Sequence, residues 1–178
     1  QGKLNGNTVV TTVMSNMGLY KAFEAEGINY EQTAVGDKYV AENMLENNYS
    51  IGGEQSGHVI FNSYAATGDG ILTSLMIMEA CVEQKATLCD LAKEMKVYPQ
   101  ILRNVRVADK KTARENPKVV EAVEAAARAL STDGRILVRE SGTEPLIRVM
   151  VEAGTEEICA EHVNNVVRVM EEEGLVVE

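Results

Sequence analysis

Apolar and polar positions divide the chain into short segments with two different periods. Residues 7–13 (NTVVTTV) are β-branched and read as a buried strand. Ser15-Asn16 offers an N-cap for a helix running to Glu26, with Gly27 as its stop. Residues 28–35 read as a second strand, punctuated by Gly36-Asp37. Over 38–47, Tyr39, Val40, Met44 and Leu45 recur at helical spacing. Residues 51–61 read as two short strands around the turn-rich GGEQSGH. Thr67-Gly68-Asp69-Gly70 opens an apolar helix over 71–82, and a shorter helix follows over 88–95. The order β-α-β-α-β-β-α-α predicts helices packed on a mixed sheet.

Beyond Met95 the texture changes. Val97-Tyr98-Pro99 stops the helix, and residues 100–107 (QILRNVRV) alternate as a strand. Asp109-Lys110-Lys111 reads as the start of a charged, solvated loop. Pro117 suits the first position of an Ala-rich helix over 118–130. Residues 135–139 and 146–153 read as two strands joined by a tight polar turn, hence a hairpin. Thr155, Glu156 and Glu157 open a last helix reaching Glu173. The expected fold class is α/β: a mixed-sheet α/β domain over 1–95, then a small α+β domain over 96–178 with an antiparallel sheet and two helices. No long Gly/Ser linker intervenes, so a short hinge is expected between them.

Composition narrows the function classes. The 178 residues are 45% hydrophobic and 25% charged with only 3 prolines, which excludes collagen-like and largely disordered chains. The formal charge of −10 argues against a nucleic-acid partner, which needs a basic face. It leaves room for a phosphate ligand, since a few placed arginines suffice. No apolar run approaches the roughly 20 residues that span a bilayer, and no secretory pattern opens the chain, so no membrane partner and a cytoplasmic location are expected. Cys81, Cys89 and Cys159 fall in apolar helical patterns without C-x-x-C spacing and read as small core residues. Gln1 rather than Met opens the chain, as expected of a processed chain or a piece of a longer one.

The richest local chemistry lies at 139–148 (RESGTEPLIR). Arg139 and Arg148 supply forked donors matched to phosphate oxygens. Ser141 and Thr143 add hydroxyls, Gly142 lets the backbone bend, and successive N–H groups in such a turn form an anion nest. If Ile147, Val149 and Val151 take the core face, alternation sends Arg148 to the other. A second cluster is GGEQSGH at 52–58, where Glu54, Ser56 and His58 alternate and project to one side if the loop is extended. A carboxylate, a hydroxyl and an imidazole suit sugar hydroxyls, and His58 is a candidate acid or base. The bland alternative is a tight turn with a structural His. Ser15-Asn16-Met17-Gly18 and Gly36-Asp37-Lys38 are strand-to-helix turns that an α/β layer can bring to one edge. His162 reads as a surface residue. No His, Cys, Asp and Glu set has metal-ligand spacing, and no Walker or dinucleotide fingerprint is present.

GGEQSGH at 52–58 with RESGTEPLIRVMVE at 139–152 resembles the α-D-phosphohexomutase superfamily. TTVMSNMGL (11–19), TAVGDKYV (33–40), ATGDG (66–70) and YPQILRNVRV (98–107) resemble its bacterial phosphoglucosamine mutase branch, and the match runs in order along the chain. The resemblance implies an enzyme of four domains that interconverts glucosamine 6-phosphate and glucosamine 1-phosphate through a phosphoserine and a bisphosphate. It implies that the serine loop and a triple-aspartate Mg2+ loop lie in the first two domains, which this chain lacks, so those domains are expected partners. The chain resembles the third domain, with Glu54, Ser56 and His58 toward the sugar, and the fourth, with Arg139, Ser141, Gly142, Thr143 and Arg148 toward the phosphate. Alone, it is expected to be inactive. The alternatives are a non-catalytic sugar-phosphate-binding module, or a phosphomannomutase or phosphoglucomutase relative with another sugar.

Overall fold

The computed structural model describes residues 2–177. It divides into two compact units, Gln1–Val97 and Tyr98–Glu178.

In the first unit, strands β1 (Thr8–Thr12), β2 (Asn29–Thr33), β3 (Ile51–Gly53) and β4 (Val59–Phe61) form one sheet in the order β2-β1-β3-β4. β1 runs parallel to β2 and β3, and β4 closes the edge antiparallel to β3. Helix α1 (Met17–Ala25) connects β1 to β2, and α2 (Asp37–Asn47) carries the chain back past β1 to β3. Right-handed crossovers that advance in opposite directions place α1 and α2 on opposite faces. Val10, Val40, Met44 and Ile60 accordingly pack together on the α2 face. On the other face Tyr20 of α1 donates its hydroxyl to the Thr12 carbonyl at 2.7 Å.

Helix α3 (Gly70–Gln84) follows, capped by Asp69, whose carboxylate accepts from the N–H groups of Ile71 and Leu72. Helix α4 (Leu88–Ala92) closes the unit with a capping box between Thr87 and Asp90. No residue of α3 is fully buried, although the helix is apolar nearly all round. Ile71, Leu75, Met78 and Val82 form an exposed stripe. This corrects the reading of the cysteines: Cys159 is buried, Cys81 half-buried and Cys89 exposed. An all-round apolar helix does not announce which face is covered.

In the second unit β5 (Gln100–Arg106), β6 (Arg135–Glu140) and β7 (Leu146–Glu152) form an antiparallel sheet in the order β5-β7-β6. Helices α6 (Pro117–Leu130) and α7 (Glu156–Glu172) cover one face through stripes at helical spacing. Val119, Ala122 and Leu130 of α6 and Cys159, Val163, Val166 and Met170 of α7 meet Ile147, Val149 and Val151 of β7. The sequence after Asp109 is not a solvated loop: it forms a short helix, α5 (Lys110–Glu115), capped by the Asp109 carboxylate on the Thr112 N–H. Completely buried Ala113 packs it on the core. Among the described residues the unit therefore holds three helices, and α5 is too short to show a period. Glu152 of β7, fully buried, accepts from Arg135 Nε on β6 and Gln100 Nε2 on β5, each at 2.7 Å, and so ties all three strands.

Candidate functional site

The hairpin of β6 and β7 sets two arginines face to face. Antiparallel register pairs Arg139 directly with Arg148. Like charges in such a cross-strand pair destabilise a sheet, and this pair is also partly desolvated. The Nε atoms of both arginines are buried without a hydrogen-bond partner. Burial first, and the neighbouring Arg148 second, push the Arg139 guanidinium below its ordinary pKa. Both causes disfavour the charge, and an anion between the guanidiniums would relieve both.

The loop joining the strands contributes further donors. Ser141 is buried, and its Oγ accepts from Arg148 Nη2 at 3.4 Å and from the Glu144 N–H at 3.3 Å. Gly142 and Thr143 are exposed, and among the described residues no group takes their N–H groups. Gly142 does not have a left-handed φ, so it is not needed for the bend. A Cβ built there would stand in open space, which leaves that side clear for a ligand. Glu144 holds Arg148 Nη2 loosely at 3.5 Å. The half-buried Lys110 of α5, missed in the sequence, donates to the Ser141 carbonyl at 2.7 Å. The only local signal for it is Asp109 at N-cap spacing from Thr112.

In the first unit, β1 leads toward β2 on one side and β3 toward β4 on the other, so the direction of connection switches between the carboxyl ends of β1 and β3. Open α/β sheets bind ligands at such a point. A cavity of about 330 Å3 lies there, with apolar walls including Val9, Leu19 and Phe23 and a polar rim of Ser15, Asn16 and Glu54. Ser15 and Asn16 also serve locally, Asn16 as the α1 N-cap that accepts from the Gly18 N–H.

Glu54, Ser56 and His58 come together in the structure. The Ser56 hydroxyl donates to Glu54 Oε1 at 2.7 Å, and Ser56 Oγ lies 2.9 Å from His58 Nδ1. Since the single hydroxyl proton goes to the carboxylate, which only accepts, the Ser56–His58 bond needs its proton from Nδ1. Neutral His58 is thereby left with a lone pair at Nε2. The imidazole is about half exposed, while the Glu54 side chain is only 10% exposed. Its other oxygen accepts from the Gly36 N–H at 3.2 Å, which joins the turn after β2 to the loop after β3. Lys38 beyond that turn pairs with Glu42. The loop glycines serve the backbone rather than a ligand: a Cβ at Gly52 would come within 2.6 Å of Met44 Sδ, and Gly57 has a φ of +97°. His162 is half-buried on α7. Asp69 is used as a helix cap, and among the described residues no group of three or more His, Cys, Asp and Glu could hold a metal ion. The described residues do not fit a Mg2+ site.

This fold is that of hexosamine-phosphate mutases. An Aspergillus fumigatus N-acetylphosphoglucosamine mutase superimposes with a TM-score of 0.80 over 95% of this chain and 39% of its own, at 19% identity. An N-acetylglucosamine-phosphate mutase of the α-D-phosphohexomutase superfamily, solved in its substrate complex, gives 0.75 over 92% and 38%, at 24% identity. The chain belongs to the phosphoglucomutase/phosphomannomutase family: residues 1–98 match its α/β/α domain III and residues 102–169 its C-terminal domain. It is 61% identical over 175 residues to the phosphoglucosamine mutase of Lachnospira eligens, covering 98% of this chain and 39% of that protein. To that of Bacillus subtilis it is 53% identical over 173 residues, covering 97% and 39%. The chain thus spans about two-fifths of the length of these curated relatives.

Proposed function

We propose that this chain is the substrate-holding part of a phosphoglucosamine mutase, with one grip for the sugar and one for the phosphate that is not reacting. The observation that supports this most is the Arg139–Arg148 pair: two partly desolvated cations face each other, each with a buried Nε lacking a partner among the described residues, beside an open loop. Such a pair recognises a phosphate without regard to the carbon that bears it. That suits interconversion of glucosamine 6-phosphate and glucosamine 1-phosphate, in which the sugar must be held in both orientations. Glu54 has acceptor capacity for ring hydroxyls, and Ser56 and Gly36 fix its carboxylate. His58 Nε2 is free to take or return a proton. Holding reactants in place is a principal catalytic contribution in phosphoryl transfer.

The phosphoryl-donating serine and the Mg2+ ligands belong, in this reading, to the preceding domains of the complete polypeptide. The apolar outer stripe of α3 is in keeping with such domains as partners, because a helix apolar all round is normally covered on both sides. A cytoplasmic location goes with the role in amino-sugar precursor synthesis. The test is a chimera carrying the region upstream of the match from the Lachnospira eligens relative, assayed with Mg2+ and a bisphosphate activator. The chimera should interconvert the two glucosamine phosphates in preference to glucose and mannose phosphates. This chain alone should not turn them over. Preference for another hexose phosphate would overturn the sugar assignment, and turnover by the chain alone would overturn the division of labour.

A further inference from the structure

Four separate bonds hold Ser141. Its N–H donates to the Leu146 carbonyl at 2.9 Å, its Oγ accepts from Glu144 and Arg148, and its carbonyl accepts from Lys110 at 2.7 Å. The last bond joins elements 31 residues apart. It is also the only one of the four made from outside the hairpin. A second tie, Arg114 Nη1 to Glu140 Oε1 at 3.3 Å, fastens the same helix to the residue before Ser141.

The carbonyl bond has a consequence for the neighbouring amide. The peptide unit after Ser141 is trans. A planar trans unit points its C=O and its N–H in opposite directions. A carbonyl fixed on Lys110 therefore also fixes the direction of the Gly142 N–H. That N–H has no partner among the described residues, and it opens the run of free amides at Gly142 and Thr143. Such a run binds an anion well only if its donors are already aimed. Lys110 also brings a third cation to a loop that already holds Arg139 and Arg148.

We propose that Lys110 is a positioning residue of the phosphate site: its ammonium clamps the Ser141 peptide so that the Gly142 and Thr143 amides face the bound phosphate. The proposal rests on the phosphate-site reading given above. Inorganic phosphate is titrated into chain 1–178, with amide shifts of 141–143 followed by NMR at constant ionic strength. Lys110→Met keeps the aliphatic stem and removes the donor, Lys110→Arg keeps a donor, and Arg114→Met deletes the solvent-exposed ion pair to Glu140 and leaves the Lys110 bond in place. Lys110→Met should weaken phosphate binding about tenfold, the scale of one charged hydrogen bond, and should move the unliganded Gly142 amide signal. Lys110→Arg should recover most of the affinity, and Arg114→Met should stay within about twofold of wild type. The proposal is overturned if Lys110→Met binds within twofold of wild type, if Lys110→Arg is no better than Lys110→Met, or if Arg114→Met weakens binding as much. A wild-type chain whose hairpin amides ignore phosphate overturns the phosphate site itself, and the clamp with it.

Discussion

Arg139→Met should make the ligand-free protein more stable while removing its response to phosphate. Methionine keeps an unbranched stem and deletes the guanidinium. Two costs disappear with it. The cross-strand repulsion from Arg148, directly opposite, is worth about 0.2–1 kcal/mol. The buried, unpartnered Nε carries a desolvation cost of about 1–3 kcal/mol, reduced here because the side chain is only partly buried. Lost contacts of the guanidinium with water offset part of the gain, leaving a net stabilisation of about 1 kcal/mol. For a unit of about 80 residues that is a rise of about 4–8 °C in Tm. Phosphate at ten times its Kd stabilises the wild type by about 1.4 kcal/mol, so the two proteins should converge as phosphate is added. Thermal unfolding is followed through the methyl signals of Val149 and Val151, in phosphate and in sodium chloride of equal ionic strength. The reasoning fails if Arg139→Met melts below wild type in chloride, or if phosphate raises its Tm as much as it raises that of wild type.

Arg135→Ala should cost about 3 kcal/mol in urea unfolding, the lower end for a broken buried pair because water reaches the Arg135 side chain; replacing both Arg135 and Glu152 by Met should recover most of that. In the chimera, Glu54→Ala should lower kcat/KM by about 10- to 150-fold, the kinetic equivalent of about 1.5–3 kcal/mol, and the exposed control Glu172→Ala should leave it unchanged. A thiol-alkylating reagent followed by mass spectrometry should modify exposed Cys89 first and Cys159 only on unfolding, since burial both shields the Cys159 thiol and pushes its pKa up.

Local pattern carried most of the elements. The β-branched run at 8–12, the caps Asn16, Asp69 and Thr155, and Pro117 at a helix start each act through neighbours in sequence, so they are readable without the fold. Helix α5 was not readable, because six residues with one buried side chain give no period, and Lys110 went unnoticed with it. The alternation of Ile147, Val149 and Val151 was visible, but Met150 and Glu152 are buried as well. Their burial follows from β7 lying between β5 and β6, a strand order that no local pattern records. The glycines of the first loop read in the sequence as turn residues. Gly52 instead makes room for Met44 and Val40 of α2, a contact fixed only by the β2-α2-β3 crossover. Glu54, Ser56 and His58 are gathered by a tight turn, closed by the Gly57 N–H on the Glu54 carbonyl, and not by alternation along an extended loop, whereas the Gly36 bond to Glu54 depends on parallel strands bringing two turns to one edge.

The central claim, that the β6–β7 hairpin holds a phosphate, is tested most directly by titrating inorganic phosphate into this chain and into Arg148→Ala while following backbone amides by NMR. Amide shifts of Ser141, Gly142 and Thr143 should saturate in the wild type, weaken with added salt through screening, and vanish in Arg148→Ala. Shifts confined to other residues, or left unchanged by the substitution, would contradict the account.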